Sequence, residues 1–173
     1  MRISTRMAIV VLAGAMSCGA ASAQQPGLGC TAQASAAGTQ TLRCGGGLTI
    51  VAESGATFML QDRDRDGHVD GIDLQSKAVF VDAPKKKSGK QFEVMTPQAI
   101  AAVRGTKWAV DAEAARTSVF VDTGRVAVRR RTVPGQVVLG PGEGVDVDAG
   151  TTPMDVKHWA PPRVAALMAR LGR

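Results

Sequence analysis

The sequence has no tyrosine, four phenylalanines and two tryptophans, so aromatic residues make up only 3% of its 173 positions. A cleft walled by aromatic rings is poorly supplied, and the core has to be built from Val, Ala, Leu and Ile. Two histidines and three cysteines leave a nitrogen- and sulfur-ligated zinc site short of donors, so any metal chemistry has to use oxygen ligands. The chain contains no G-x-S-x-G element, no cysteine set beside a base and no close glutamate pair, which argues against an enzyme. Its length suits one domain.

Long apolar runs are also missing. The longest, Met7 to Ala15, falls short of the roughly 18 apolar residues that a membrane span needs, and Ser17, Gly19 and Ser22 interrupt it. No transmembrane span is therefore expected. Arg2 and Arg6 precede this run and Ala21-Ser22-Ala23 follows it, the pattern of a secretory signal peptide over residues 1–23, with the mature chain starting near Gln24. Lipidation at Cys18 is disfavoured because Ala15-Met16-Ser17 lacks an aliphatic residue three positions before it. Cleavage removes two of 21 basic residues and none of 15 acidic ones, leaving an excess of four positive charges. In a periplasmic or secreted setting Cys30 and Cys44 become a lone pair in an oxidising compartment and are expected to form a disulfide. Closing a loop of that length stabilises by about 3 kcal/mol on chain-entropy grounds.

Residues 24–47 are rich in Ala, Gly, Gln, Ser and Thr with little apolar periodicity, and read as an irregular arm tethered by that disulfide. From 48 to 155, short runs of Val, Thr, Phe and Ile recur between Gly-, Asp- and Pro-bearing turns, the signature of an all-β domain. Strands are predicted near 48–52, 56–61, 69–75, 77–82, 91–95, 98–103, 107–111, 116–122, 125–130, 136–139 and 144–148. Thr117, Val119 and Val121 alternate with Ser118, Phe120 and Asp122, which predicts one inward face and one wet face. Asp122-Thr123-Gly124 and Pro141-Gly142 mark turns. Residues 156–173 read as an amphipathic helical tail: Val164, Leu167, Met168 and Leu171 form one stripe, with Arg163, Arg170 and Arg173 outside it. So short a helix needs a surface to lie on, either the open end of the β domain or a partner.

The run Phe92-Glu93-Val94-Met95-Thr96-Pro97, followed by Ala99 to Val103, Arg104-Gly105-Thr106 and Trp108, resembles the FecR-domain family. Thr117 to Val121, Gly124 to Val128, Val138-Leu139 and Pro141-Gly142-Glu143-Gly144 continue the likeness, which spans about residues 56–148. The resemblance implies a compact, strand-rich periplasmic domain, a sandwich or β-roll, of the kind that forms the receiving half of transmembrane anti-sigma regulators. It implies no catalytic residues. Neither an anti-sigma domain nor a membrane span is evident in this sequence. The expectation is therefore a stand-alone, secreted FecR-type module that engages a periplasmic or membrane sensor protein. Physically, Pro97 fixes φ at a strand entrance, Gly105 permits a tight turn and Trp108 buries a large apolar area. Arg104 is expected to pair with an acid or a turn carbonyl in preference to a ligand.

Asp62-Arg63-Asp64-Arg65-Asp66-Gly67 opens a loop with the register of a calcium site. Carboxylates stand at positions one, three and five, the His68 carbonyl at seven, Asp70 at nine through water, and Asp73 at twelve, where the longer Glu is usual. Strand patterns flank it, so a Ca²⁺ loop in a β-hairpin is expected, against the alternative of a solvated Asp-Arg turn. Lys85-Lys86-Lys87 with Lys90, and Arg129-Arg130-Arg131, read as exposed tips without the aromatic interleaving of a nucleic-acid platform. They leave a second class of function open: an envelope protein held to peptidoglycan or outer-membrane lipid.

Overall fold

Alternation of Val, Ile, Ala and Thr with polar residues makes strands here, and glycines at positive φ turn the chain between them. The computed structural model describes residues 28–35, 38–85 and 89–173. The expected leader, with Cys18, and Lys86 and Lys87 of the basic loop lie outside the described residues. In chain order the strands are β1 (Cys30–Ala34), β2 (Gln40–Cys44), β3 (Thr49–Ala52), β4 (Thr57–Gln61), β5 (Gly71–Ala83), β6 (Phe92–Met95) and β7 (Ala99–Val103). There follow β8 (Thr106–Ala112), β9 (Arg116–Thr123), β10 (Val126–Arg130), β11 (Gln136–Leu139), β12 (Glu143–Asp148) and β13 (Val156–His158), then helix α1 (Pro161–Arg170).

The two strands predicted at 69–75 and 77–82 are one 13-residue strand, β5, which serves two sheets. From Lys77 onward it pairs antiparallel with β3 and β8. Before that it pairs antiparallel with β4 and parallel with β6. The change of sheet coincides with a left-handed residue, Lys77 at φ 65°, and with a register slip against β4 between Thr57 and Phe58. Lys77 Nζ donates to the Ser54 carbonyl at 2.6 Å and braces the kink. One sheet thus runs β1-β2-β3-β5-β8-β9-β12-β13, the other β4-β5-β6-β7-β10-β11. The result is an all-β, nearly closed barrel-like sandwich with β5 as its shared corner.

The inward residues of both sheets form the main core: Val79, Val81, Trp108, Val110, Val119 and Val121 from one, Ile72, Leu74, Val94, Val103, Val126 and Val128 from the other. Each such side chain contributes about 1.5–3 kcal/mol by leaving water. Buried hydroxyls tie the sheets. Thr96, between β6 and β7, bonds Thr117 of β9 at 2.7 Å, and Thr117 donates to Gln98 at 2.9 Å. On the other side Arg130 of β10, only 5% exposed in its side chain, reaches Asp148 of β12 at 2.8 Å and the Asp148 and Thr152 carbonyls.

Three expectations change. The stretch read as an irregular arm contains β1 and β2, a hairpin that extends the sheet through β3. Backbone pairing holds it where side-chain periodicity is weak, and Cys30 and Cys44, directly opposite in register, are joined by a disulfide. Residues 156–158 are strand β13 and not helix, with α1 beginning at Pro161 and Pro162, where missing amides cost nothing. The face of β9 expected to stay wet is buried at Ser118 and Phe120, because the helix stripe lies on it. Leu167 and Leu171, with Trp159, Val164 and Met168, cover Val51, Ala78, Phe80, Ala109 and Phe120. α1 therefore lies on the outer face of its sheet.

Candidate functional site

The motif around Thr96–Trp108 builds one end of the sandwich. Thr96 makes the turn before β7: its hydroxyl accepts from the Ala99 amide at 2.9 Å, and Pro97 sits exposed at the strand entrance. Val103 is 2% exposed and belongs to the core, as does Trp108 at 0%, whose Nε1 has no acceptor among the described residues. Between them Gly105 takes φ 68° and packs so close to Lys85 that a Cβ would overlap its side chain. Buried Thr106 donates to the Arg125 carbonyl at 3.0 Å, and a Cβ on Gly124 would lie 2.8 Å from the Gly105 carbonyl. The β7–β8 turn, the β9–β10 turn and the Lys85 segment are thus locked together.

This end presents Lys85, Arg104 and Arg125 to solvent. Arg104 pairs with neither an acid nor a carbonyl among the described residues, contrary to expectation; its guanidinium lies against Gly89. Lys107 beside it is compensated by Asp82 at 3.3 Å. Among the other described arginines, Arg63, Arg116, Arg130, Arg163 and Arg170 all hold acids.

The aspartate loop separates into two parts. Asp62, Asp64 and Asp66 converge, with one carboxylate oxygen from each lying within 4.8 Å of the others. Asp62 accepts from the Asp66 and Gly67 amides at 3.1 and 2.9 Å, and Asp66 accepts from the His68 amide at 2.9 Å. Lys90 crosses to Asp64 and Asp66. Its ammonium holds Asp64 below the usual carboxylate range, while the His68 amide, and then Lys90, do so for Asp66.

Asp70 and Asp73 do not join this cluster. Asp70 is buried and accepts from Arg63 through both the backbone amide and Nε at 3.2 Å, and Arg63 continues to Glu93 at 2.5 Å. Asp73 lies in β5 opposite Met59 and accepts from Gln75. The sequence register placed both as ligands; the strand that begins at Gly71 carries Asp73 off into the sheet.

A family model described as FecR protein matches residues 31–127, more than half of the chain. The chain belongs to the FecR family. The match opens at the β1–β2 hairpin, well before the stretch where the likeness was legible by eye, which makes that hairpin part of the FecR domain. No curated protein matches the chain. Two crystal structures of a candidate anti-sigma factor from Parabacteroides distasonis ATCC 8503 share the fold, each at 22% identity and a TM-score of 0.61. Each alignment covers 80% of this chain and 64% of that one, so the chain spans under two-thirds of that neighbour's length. Among the described residues no helix is long and apolar enough to cross a membrane.

The two outer faces of the FecR domain are treated differently, which the sequence did not reveal. Helix α1 is clamped to the first by arginines two turns apart. Arg163 forms a bidentate pair with Asp146 at 2.5 and 3.0 Å while its guanidinium lies 3.6 Å over Trp159. Arg170 holds Asp111 at 2.5 Å and Glu53 at 2.6 Å. Burial raises the Glu53 carboxyl, but bonds from Arg170 and the Ala78 amide outweigh it and leave it below its ordinary value. These acids come from β8, β12 and the segment after β3, and strand alternation alone marks them only as polar. The outer face of the second sheet carries Met59, Met95, Ile100, Ala102, Ala127 and Val138, with no helix over it among the described residues.

Proposed function

We propose that this chain is a non-catalytic signalling module, exported to the periplasm, that acts by binding a partner protein such as an envelope sensor. Membership of the FecR family over residues 31–127 carries the reading. The Cys30–Cys44 disulfide supports an oxidising compartment, and the Ala21-Ser22-Ala23 pattern supports export with cleavage after Ala23. Rigid turns that face solvent, such as Arg104–Gly105, suit recognition, because little conformational freedom is lost when a partner docks on them.

A second reading rests on the uncompensated Lys85, Arg104 and Arg125: a structural envelope protein held by that basic end to peptidoglycan or anionic outer-membrane lipid. The FecR match favours the first. Within either reading the Asp62, Asp64 and Asp66 turn is proposed to take Ca²⁺ weakly, with the Lys90 ammonium as its competitor.

Affinity capture from envelope extract of the producing cell separates the readings. A protein retained in stoichiometric amount, and still retained by Lys85→Glu/Arg104→Glu, supports the first. Co-sedimentation with murein or anionic vesicles that is reversed by salt and lost in the same double variant supports the second and overturns the first.

A further inference from the structure

The covered face and the bare face carry opposite charge logic. On the covered face the sheet supplies acids, Asp111 and Asp146, with Glu53 beside them, and the helix supplies Arg163 and Arg170 seven residues apart, flanking an apolar stripe. On the bare face the sheet itself supplies the arginines. The outward residues align in two rows across the strands: Met59, Asp73, Met95, Ile100, Arg129 and Gln136 in one, and Glu93, Ala102, Ala127 and Val138 in the other. Met59 is 51% exposed and Val138 54%, at opposite edges of this shelf. Arg129 is exposed and makes no ion pair among the described residues; Arg125, immediately before the same strand, makes none either. Arg131 donates to the Thr96 carbonyl at 3.3 Å. The acids on the shelf lie away from the arginines, and Glu93 is taken by Arg63.

We infer that the outer face of the β4-β5-β6-β7-β10-β11 sheet docks an acidic amphipathic helix of a partner protein, in the manner of α1 on the opposite face but with the charges exchanged. Arg125 stands one residue before β10 and four before Arg129, a separation of up to about 13 Å for extended chain. Two acids seven or eight residues apart on a helix span about 11–12 Å and so reach both. The helix's apolar stripe would cover Ile100, Ala102 and Ala127, small enough to let its backbone approach. Methionine and arginine beside a dry patch are also the residues that interface centres favour. The inference rests on the protein-partner reading and names the surface and the chemistry that reading leaves open.

The test uses the full chain and two 18-residue helical peptides with a leucine stripe at i, i+3, i+4 and i+7. One carries glutamates at two flanking positions seven apart, the other lysines. In fluorescence polarisation the glutamate peptide is expected to bind at least tenfold more tightly than the lysine peptide. That binding is expected to weaken at least tenfold in Arg129→Glu and in Ile100→Asp, and to weaken with added salt. Val138→Asp, at an exposed edge position, serves if Ile100→Asp melts early. Equal binding of the two peptides, or no effect of Arg129→Glu in a protein with wild-type melting, overturns the inference.

In the producing cell a photo-crosslinking residue at position 138 is expected to capture a protein, and one at 157, on β13, is not. Capture from 157 alone overturns this surface while the protein-partner reading stands. Capture from neither, with affinity capture also empty, ends both.

Discussion

Gly144 gives the sharpest test of how α1 is held. It stands on β12 opposite Phe120 of β9, and the Trp159 indole packs against it so closely that a Cβ at this position would overlap Cε2 and Nε1 of the ring. Gly144→Ala must therefore lift Trp159. Three interactions go with it: the stack on Phe120 at 5.3 Å, the Arg163 guanidinium over the ring at 3.6 Å, and part of the Arg163–Asp146 pair. The stack contributes about 0.5–1.5 kcal/mol and the cation–π contact about 0.5–1. The ion pair, about 40% exposed on both sides, adds at most a few tenths after screening. The expected loss is about 1–3 kcal/mol, concentrated in docking of the tail. Amide exchange over 163–171 is thus predicted to quicken by about 5- to 150-fold, since each 1.4 kcal/mol is tenfold. Trp159 emission shifts to the red while fully buried Trp108 holds its own. Unchanged exchange and emission in Gly144→Ala would refute this account of how the helix is seated.

Acid is expected to release the same helix. Glu53 and Asp146 both titrate below their ordinary values of 4.5 and 3.8, so the stability they provide is present above those values and lost as pH falls through the lowered ones. Trp159 emission followed from pH 6 to 2.5 checks this, and a flat trace, or one unaltered by Arg170→Met, counts against it. Cys30→Ala/Cys44→Ala is predicted to cost up to about 3 kcal/mol in urea denaturation and to fray β1 and β2, while the unreduced wild type should show no titratable thiol from this pair. For calcium, the melting temperature in millimolar Ca²⁺ over chelator is expected to rise, by the equivalent of about 2.7 kcal/mol at a hundredfold excess over the dissociation constant. The rise should grow in Lys90→Gln and vanish in Asp64→Ala; no rise in either wild type or Lys90→Gln removes the proposed ion.

Where side-chain pattern decides the structure, the sequence was informative. β7, β9, β10 and β12 lie within a residue or so of their predicted limits because Val and Ala recur at alternate, inward positions along them. β1 and β2 were missed because they bury little, Leu42 excepted, and owe their place to backbone pairing and a disulfide. Gln75-Ser76-Lys77 reads as a break in a strand, yet the chain runs through it with one left-handed residue. The stripe of α1 was legible, but its landing surface was not, because Arg170 meets Asp111 and Glu53 across 59 and 117 residues of sequence. Asp70 shows the limit of motif spacing: its position in the loop was right for a ligand, and the Arg63 guanidinium claimed it first.

The two sheets are finished only by β11 and β13, and β5, their shared corner, lacks its β8 partner until residue 112 has been made. Until then the nascent chain holds only hairpins and unsatisfied strand edges, with no stable core around which to collapse. Pairings this distant in sequence also form slowly. Such a polypeptide stays threadable for most of its synthesis, which suits the passage through a narrow channel that the proposed export would require.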